Sequence, residues 1–420
     1  MKKCSKITSL ILIVMMLLGI AVLPAYAASD ETPADDLDIT ISLRIEGVDE
    51  CLYFNEAIAL PEQSSVIDLI GIVNEIEPSL EIKVVESTYG NYVSQIGELV
   101  EFGYGGYSGW LFIKNGVSGV DSIAETFLAD GDVIVFYYAD PFGGPGFQFP
   151  QADVSKLFSD GIICFTSEDT DYDEDWNPVT SINPVAGAAV DLNGKQYITD
   201  ENGMIHPDDT TGLSGVSTLQ IERFDEESGV PTVLRYAPDH LIYIPFSDTA
   251  ASMWYADAVE FCVTEGYFIG ISAADNLFAP LGGMTMLQLF TVLQRIAGQE
   301  PAVTPIEWAL ANGIYELHGD EEDLFDSLYD LFSSMWTNRQ QFIYMFYLTV
   351  ELSGTHDMTP RADISGAVDY DDVAFAYTDS VAWAVATGII RGTDPNALNI
   401  NAAAEPTRAE VCQMLYNYYN

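Results

Sequence analysis

The chain has 420 residues and a formal charge of −49, from 64 acidic against 15 basic side chains. A charge of that sign and size excludes a nucleic-acid-binding role, which needs a basic face, and it would concentrate divalent cations around a soluble molecule. With 48% hydrophobic and 12% aromatic residues there is enough apolar material for real cores, so global disorder is excluded as well, and the length suits two to four domains.

The first 27 residues read as a signal peptide. Lys2, Lys3 and Lys6 precede the apolar run Leu10 to Leu23, and Ala25-Tyr26-Ala27 supplies a small-x-small cleavage pattern. The run falls short of the roughly 20 residues a spanning helix needs, so cleavage after Ala27 is expected, taking the formal charge from −49 to −52 by the loss of three cations. Cys4 lies before the apolar run and is not placed as a lipoprotein cysteine. With no later segment long and apolar enough to span and no C-terminal sorting motif, retention at the surface would have to come from binding.

Residues 28–38 form an acidic spacer. Ile39, Ile41, Leu43 and Ile45 alternate as in a half-buried strand, and Ser64-Ser65 opens a helical apolar face over Val66 to Val73. Strands are predicted at Ile82 to Ser87, at Gly109 to Lys114 before the turn pair Asn115-Gly116, and at Val133 to Tyr138 after Asp130-Gly131. This order predicts an α+β domain over 39–140 with one helix on a mixed sheet. The breaker cluster Phe142 to Gly146 starts a linker over 141–160. Short strands at 162–165, 188–192, 196–199, 218–223 and 232–236, separated by Asn193-Gly194, Asn202-Gly203 and Ser228-Gly229, predict a small all-β sandwich over 161–245.

From Phe246 the periodicity becomes helical and repeats. Tyr255 to Gly266 aligns without gaps on Tyr377 to Gly388, and the same offset carries Thr285 onto Thr407. A third copy starts at Ile306-Glu307-Trp308 and runs into an acidic insertion, Gly319 to Asp330. Each copy is followed by a second amphipathic helix, over Leu287–Ile296, Gln340–Leu352 and Ala409–Tyr418. The copies span 246–298, 301–354 and 369–420.

These repeats resemble the S-layer homology (SLH) domain. Copy one carries Phe246-Ser247-Asp248, Trp254-Tyr255, Gly266 to Gly270 and Phe278-Ala279-Pro280. Copy three carries Asp372-Val373, Gly388 to Gly392 and an intact Thr407-Arg408-Ala409-Glu410. Thr407 and Glu410 have capping-box spacing. Arg408 sits in the first helical turn, where a cation opposes the helix dipole and points to an anion to receive. The resemblance implies that this arginine grips a charged wall glycan, commonly one bearing a pyruvyl ketal, and a guanidinium can hold a carboxylate bidentately. Copy one reads Thr285-Met286-Leu287-Gln288, losing Arg and Glu, and copy two reads Asn338-Arg339-Gln340-Gln341, keeping only Arg. The resemblance thus gives Thr407, Arg408, Glu410, Arg339, Trp254 and Asp248 as wall-polymer-binding candidates. Phe261, Trp308 and Trp383 are read as core rather than glycan platforms.

Residues 39–139 resemble bacterial relatives of the transcobalamin C-terminal domain, a β-grasp-like unit, through Tyr89 to Ile96, Gly106 to Gly116 and Leu128 to Val133. The mammalian members bind cobalamin with an additional helical domain that this chain lacks. Trp110 and Tyr107 are the speculative ligand-binding residues, with a packed strand position the favoured reading of Trp110. The middle segment, Pro184 to Gly203, resembles prealbumin-like or carboxypeptidase-regulatory-like sandwiches that act as spacers.

The run Asp169 to Asp175 alternates carboxylates but fails the EF-hand pattern, which puts Gly sixth and Glu twelfth; here those places hold Glu174 and Thr180. A solvated loop is expected there, with Ca²⁺ the alternative and no other cofactor implied. Cys51, Cys164, Cys262 and Cys412 permit two disulfides in an exported protein, but four partly buried thiols is the expected state. His206, His240, His318 and His356 are isolated, and HExxH, GxSxG, P-loop and GxGxxG patterns are absent from the sequence, so no catalytic residue is assigned.

The sequence therefore predicts a multidomain, non-enzymatic, secreted surface protein of a Gram-positive-type bacterium: a β-grasp-like α+β domain, a small all-β sandwich and an all-α bundle of three SLH repeats. Its expected location is the cell wall or S-layer, and its expected partner an anionic secondary cell-wall polysaccharide. The alternative is a surface protein that captures a corrinoid or other small nutrient through the N-terminal domain.

Overall fold

A computed structural model describes residues 39–118, 121–142, 146–172, 178–298, 303–318, 327–354, 356–391 and 397–420. The leader and spacer assigned to 1–38 lie outside them. The fold is mixed α and β with several separate sheets.

The N-terminal part starts with β1 (Ile39–Glu46) and β2 (Cys51–Leu60), followed by α1 (Val66–Ile76). Then come β3 (Lys83–Ser87), β4 (Gly90–Ile96), β5 (Leu99–Val100), β6 (Gly109–Lys114), β7 (Val117–Ser118) and β8 (Val133–Ala139). Five strands pair in the order β2-β1-β8-β6-β7, with β1 and β8 parallel and the rest antiparallel; β3, β4 and β5 form a second sheet. The alternating isoleucines and Leu43 of β1 share one buried cluster with Val66, Leu69, Ile70 and Val73 of α1. Ser65 caps α1, and the Asp68 carboxylate accepts from the Ser65 N–H at 2.8 Å. β2 escaped the sequence reading because it is mostly half-buried or exposed, with only Ile58 and Leu60 buried, so no alternation marks its length.

The middle part contains β9 (Pro150–Asp153), the one-turn α2 (Leu157–Asp160), β10 (Ile163–Tyr172), β11 (Pro178–Pro184), β12 (Ala189–Leu192), β13 (Lys195–Ile198), β14 (Met204–Ile205), β15 (Gly215–Glu222) and β16 (Leu241–Ile244). One sheet runs β11-β10-β14 with β9 also on β10; the other runs β13-β12-β15-β16. Phe165, Val190, Leu192, Leu219 and Ile221 meet in their shared core. Two expectations are corrected here. Residues 150–153, read as linker, pair with β10. Residues 232–236, read as a strand, make only one isolated bridge, Val233 to Gln148, because the partner segment is itself irregular.

The N-terminal and middle parts are joined by a buried ion-pair triad. Glu46 at the end of β1 accepts from Arg44 at 3.1 Å and from Arg235 at 2.7 Å, and Arg235 also donates to the Gly47 carbonyl. A second arm runs from the Arg44 guanidinium to the Arg235 carbonyl at 2.7 Å.

From residue 246 on, the described residues form helices and isolated bridges: α3 (Ala256–Thr264), α4 (Met286–Ile296), α5 (Pro305–Ala311), α6 (Leu328–Ser334), α7 (Arg339–Ser353), α8 (Thr378–Ala386) and α9 (Arg408–Tyr419). One apolar cluster runs through all of them, with Trp308 and Trp383 buried inside it. α6 falls at the end of the expected acidic insertion, whose residues 319–326 are outside the described ones, and buries Leu328 and Phe332.

The second helices of the three copies, α4, α7 and α9, start in the same way. Thr285, Asn338 and Thr407 are N-caps, each closing a capping box with Gln288, Gln341 or Glu410. Glutamine thus does the capping work of the glutamate that copies one and two lack. Each first-turn N–H is then donated to a carbonyl of another copy. Met286 donates to Met335 at 2.8 Å, Arg339 to Ala404 at 2.8 Å, and Arg408 to Gly282 at 2.8 Å. Copy one leans on two, two on three, and three on one, so the hydrogen bonds close a ring. The loops that receive these bonds are braced alike. Asp248 accepts from the N–H groups of Phe278 and Ala279, and Asp369 from those of Ile400 and Asn401. Ala279 and Asn401 both take left-handed φ, 57° and 55°. The partner of Asp248 in copy three is therefore Asp369. Asp372, chosen from its neighbouring valine, is exposed and braces no loop.

Candidate functional site

The start of α9 projects Arg408 into the seam between copies three and one. Its Nε donates to the Phe278 carbonyl at 2.8 Å and its Nη2 to the Ile269 carbonyl at 2.7 Å. The guanidinium carbon lies 4.5 Å from the Phe278 ring centre and 5.1 Å from that of Phe268, within cation–π range of both rings. Arg408 is only 6% exposed, and burial pulls its pKa down from the ordinary arginine value. The sequence reading called for an outside anion to offset the helix dipole; the first groups to meet the guanidinium are two main-chain carbonyls of copy one.

What remains open beside Arg408 is a groove of about 280 Å³, walled by Phe268 to Ile271 and by the α4 residues Gln288, Thr291, Val292 and Arg295. Arg295 donates to the Tyr267 carbonyl at 3.2 Å, and burial lowers its pKa as well. Gly270 is required by the close wall: a Cβ there would sit 2.5 Å from the Phe246 ring and 2.9 Å from the Leu277 carbonyl oxygen. The groove carries two guanidiniums and no carboxylate on its walls. Sequence reasoning missed Arg295 and Gln288. The signal was there: Gln288, Thr291 and Arg295 recur at i, i+3 and i+7, a polar stripe along an apolar helix.

The other expected wall-binding residues are placed differently. Thr407 and Glu410 are committed to the cap: Glu410 accepts the Thr407 N–H at 2.8 Å, and Thr407 accepts the Glu410 N–H at 3.2 Å. Asp248 stands behind the groove, bonded to the N–H of the residue whose carbonyl holds Arg408. Trp254 is 59% exposed, stacks edge-on against Tyr255 and is not among the groove walls. Arg339 starts α7 at the next seam, with its Nε buried and unpartnered; burial lowers its pKa while Glu410 and Asp369 oppose the shift.

In the N-terminal part, Trp110 is 7% exposed, donates its indole N–H to the Leu99 carbonyl at 3.0 Å and packs edge-on against Tyr138. Tyr107 is 65% exposed and meets Phe142 edge-on. Both border one shallow depression of about 150 Å³, together with Tyr92, Glu101 and Phe102. A larger recess, about 450 Å³, lies between Tyr104 and Phe147 on one side and Asp225, Glu227 and Thr232 on the other.

No protein-family model matches the chain, and no curated protein matches it. Among solved structures, haptocorrin in complex with Cbi is 12% identical over 24% of this chain and 25% of its own, with a TM-score of 0.22. This chain thus spans about a quarter of haptocorrin's length. A protein from Ruminococcus gnavus described as metal-binding is 17% identical over 24% of this chain and 98% of its own, with a TM-score of 0.19. Overlaps this slight carry no functional argument.

Of the Ca²⁺ alternative at Asp169 to Asp175, residues 173–175 lie outside the described ones, and Asp169 is bonded to Ser167 and Asn183 in the β10–β11 hairpin. Among the described residues no group of three or more His, Cys, Asp or Glu side chains could hold a metal ion, and no helix is long and apolar enough to cross a membrane.

Proposed function

We propose that residues 246–420 are three SLH repeats that attach an exported, non-enzymatic surface protein to an anionic secondary cell-wall polymer. One observation carries this reading. In a chain of charge −49, Arg408 and Arg295 face a single groove with no acidic wall. Burial is the main cause that lowers the Arg408 pKa; the nearby Asp248 carboxylate opposes the shift, and the like charge of Arg295 adds a smaller lowering of its own. An anionic sugar substituent entering between the two arginines would relieve their repulsion and accept charge-assisted hydrogen bonds. The middle sheets then serve as a sandwich spacer, and the N-terminal β-grasp-like domain as the displayed module. The full chain should pellet with purified wall sacculi and stay in solution with sacculi stripped of their secondary polymer. Equal binding to both would overturn the reading.

A second reading is favoured by the meeting of Trp110 and Tyr107 at one depression: the N-terminal domain captures a small aromatic or corrinoid nutrient. Titration with cobalamin, followed by absorbance, tests it. An unchanged spectrum at saturating protein removes the corrinoid.

A further inference from the structure

Cys262 and Cys412 lie 150 residues apart in the chain, on α3 of copy one and α9 of copy three, and these helices pack side by side. Both side chains are 0% exposed. The Cys262 thiol points at the Cys412 carbonyl, Sγ to oxygen 3.7 Å, and burial together with the neighbouring Cys412 side chain raises its pKa. Cys51 and Cys164 lie elsewhere, on β2 and β10, and are partly exposed. The buried pair therefore sits across the seam where the ring of copies closes, the same seam that Arg408 enters.

We propose that Cys262 and Cys412 form a cystine that covalently closes the three-copy ring, with a low-molecular-weight disulfide as the oxidant. The step balances in two exchanges. One cysteine thiolate attacks the small disulfide RSSR, forming a protein–S–S–R bond and expelling one RS⁻. The second cysteine attacks the protein sulfur of that bond, forming the Cys262–Cys412 bond and expelling the second RS⁻. The two cysteine protons leave on two RSH, so the protein loses two electrons and RSSR gains them. Burial raises the Cys262 thiol well above its usual pKa, and the reactive thiolate is scarce in the closed fold. Exchange therefore takes place when α9 is undocked from α3, during folding or transient opening. The same burial then shields the finished bond from external reductant. The proposal is independent of what the groove binds.

The test uses the full chain incubated with oxidised glutathione in sub-denaturing urea, returned to buffer, denatured, alkylated and digested without reductant. Mass mapping should find one cross-linked peptide pair containing Cys262 and Cys412, lost on reduction, with Cys51 and Cys164 alkylated. The cross-link should raise the melting temperature on the order of 10 °C above that of the reduced protein, because it closes a long loop in the unfolded chain. A Cys51→Ser, Cys164→Ser double variant should keep the whole shift. Alkylation of both Cys262 and Cys412 after oxidation, a cross-link joining any other pair, or the same melting temperature before and after oxidation would each overturn the proposal.

Discussion

Arg408 and Arg339 donate their main-chain N–H groups to equivalent carbonyls, Gly282 and Ala404, both at 2.8 Å, yet their guanidiniums meet different surroundings. Arg408 borders a groove that holds Gln288 and Arg295. Arg339 feels Glu410, the copy-three counterpart of Gln288, and Asp369. Glu410 of copy three thus tempers the arginine of copy two. Beside Arg408 the corresponding place holds a neutral glutamine, and Asp248, the counterpart of Asp369, is the nearby carboxylate that opposes the lowering of its pKa.

On the proposed wall-anchoring function, removing the Arg408 charge should weaken binding to sacculi. Arg408→Ala should lose on the order of 2–5 kcal/mol of sacculus affinity if the contact is desolvated, but it also strands the carbonyls of Phe278 and Ile269 at about 1–3 kcal/mol each. Arg295→Gln separates the effects, since its side chain makes one carbonyl bond. That variant should shift the melting temperature by only a few degrees while lowering binding at least tenfold. Wild-type binding by Arg295→Gln across a salt series would remove the groove from the mechanism.

Salt should act in the direction opposite to simple ion exchange. A chain of charge −49 approaching an anionic polymer is repelled over long range, and screening shortens that repulsion to about 8 Å at physiological ionic strength. The buried arginine contact is screened less. Moderate NaCl or millimolar Ca²⁺ should therefore strengthen pelleting with sacculi. A monotonic loss of binding with salt would contradict this balance.

The triad at Glu46 should be the stability hinge between the N-terminal and middle parts. Glu46 is 5% exposed and takes both Arg44 and Arg235. Glu46→Gln removes the negative charge from between two guanidiniums, and breaking a buried pair in this way costs about 3–5 kcal/mol. Urea unfolding should show the loss at unchanged native far-UV circular dichroism. A change under 1 kcal/mol would mean that the triad is not buried in solution.

The loop braces give a sharper comparison within copy three. Asp369 accepts from Ile400 and Asn401, so Asp369→Ala should destabilise by about 1–3 kcal/mol through the stranded amides. Asp372→Ala, at an exposed position, should stay within about 0.5 kcal/mol. The reverse order would return the motif to Asp372.

Acid should loosen the N-terminal domain through Asp132. Burial raises its pKa, but the Lys114 ammonium at 2.6 Å, the Ala129 N–H and the Asn115 amide outweigh that and leave it lowered. A carboxylate whose folded pKa is lowered gives stability that is present above its unfolded value, about 3.9, and is lost as pH falls through the folded value. Asp132→Asn should flatten the dependence of unfolding free energy on pH below about pH 4 without flattening it at neutral pH. An unchanged acid limb would count against the pairing.

The sequence by itself determined what is local. Apolar periodicity placed β1, α1 and the paired helices of each copy, and the short-range chemistry of Thr407 with Glu410 placed a helix start that the structure shows capped in just that way. The offset between copies exposed the repeat, because similar sequences fold into similar turns wherever they stand. Tertiary structure alone decided the rest. Edge strands such as β2 lack a buried face to set a period, so they become strands only when a neighbour supplies hydrogen bonds. The brace in copy three could not be told from three nearby aspartates until the amides of Ile400 and Asn401 chose Asp369. Arg295, the Glu46 triad and the Cys262–Cys412 contact join residues from different helices, strands or copies. Their chemistry depends on distances of a few ångströms between groups that are far apart in sequence. Such distances are fixed by how the cores pack together, which no local pattern in the chain encodes.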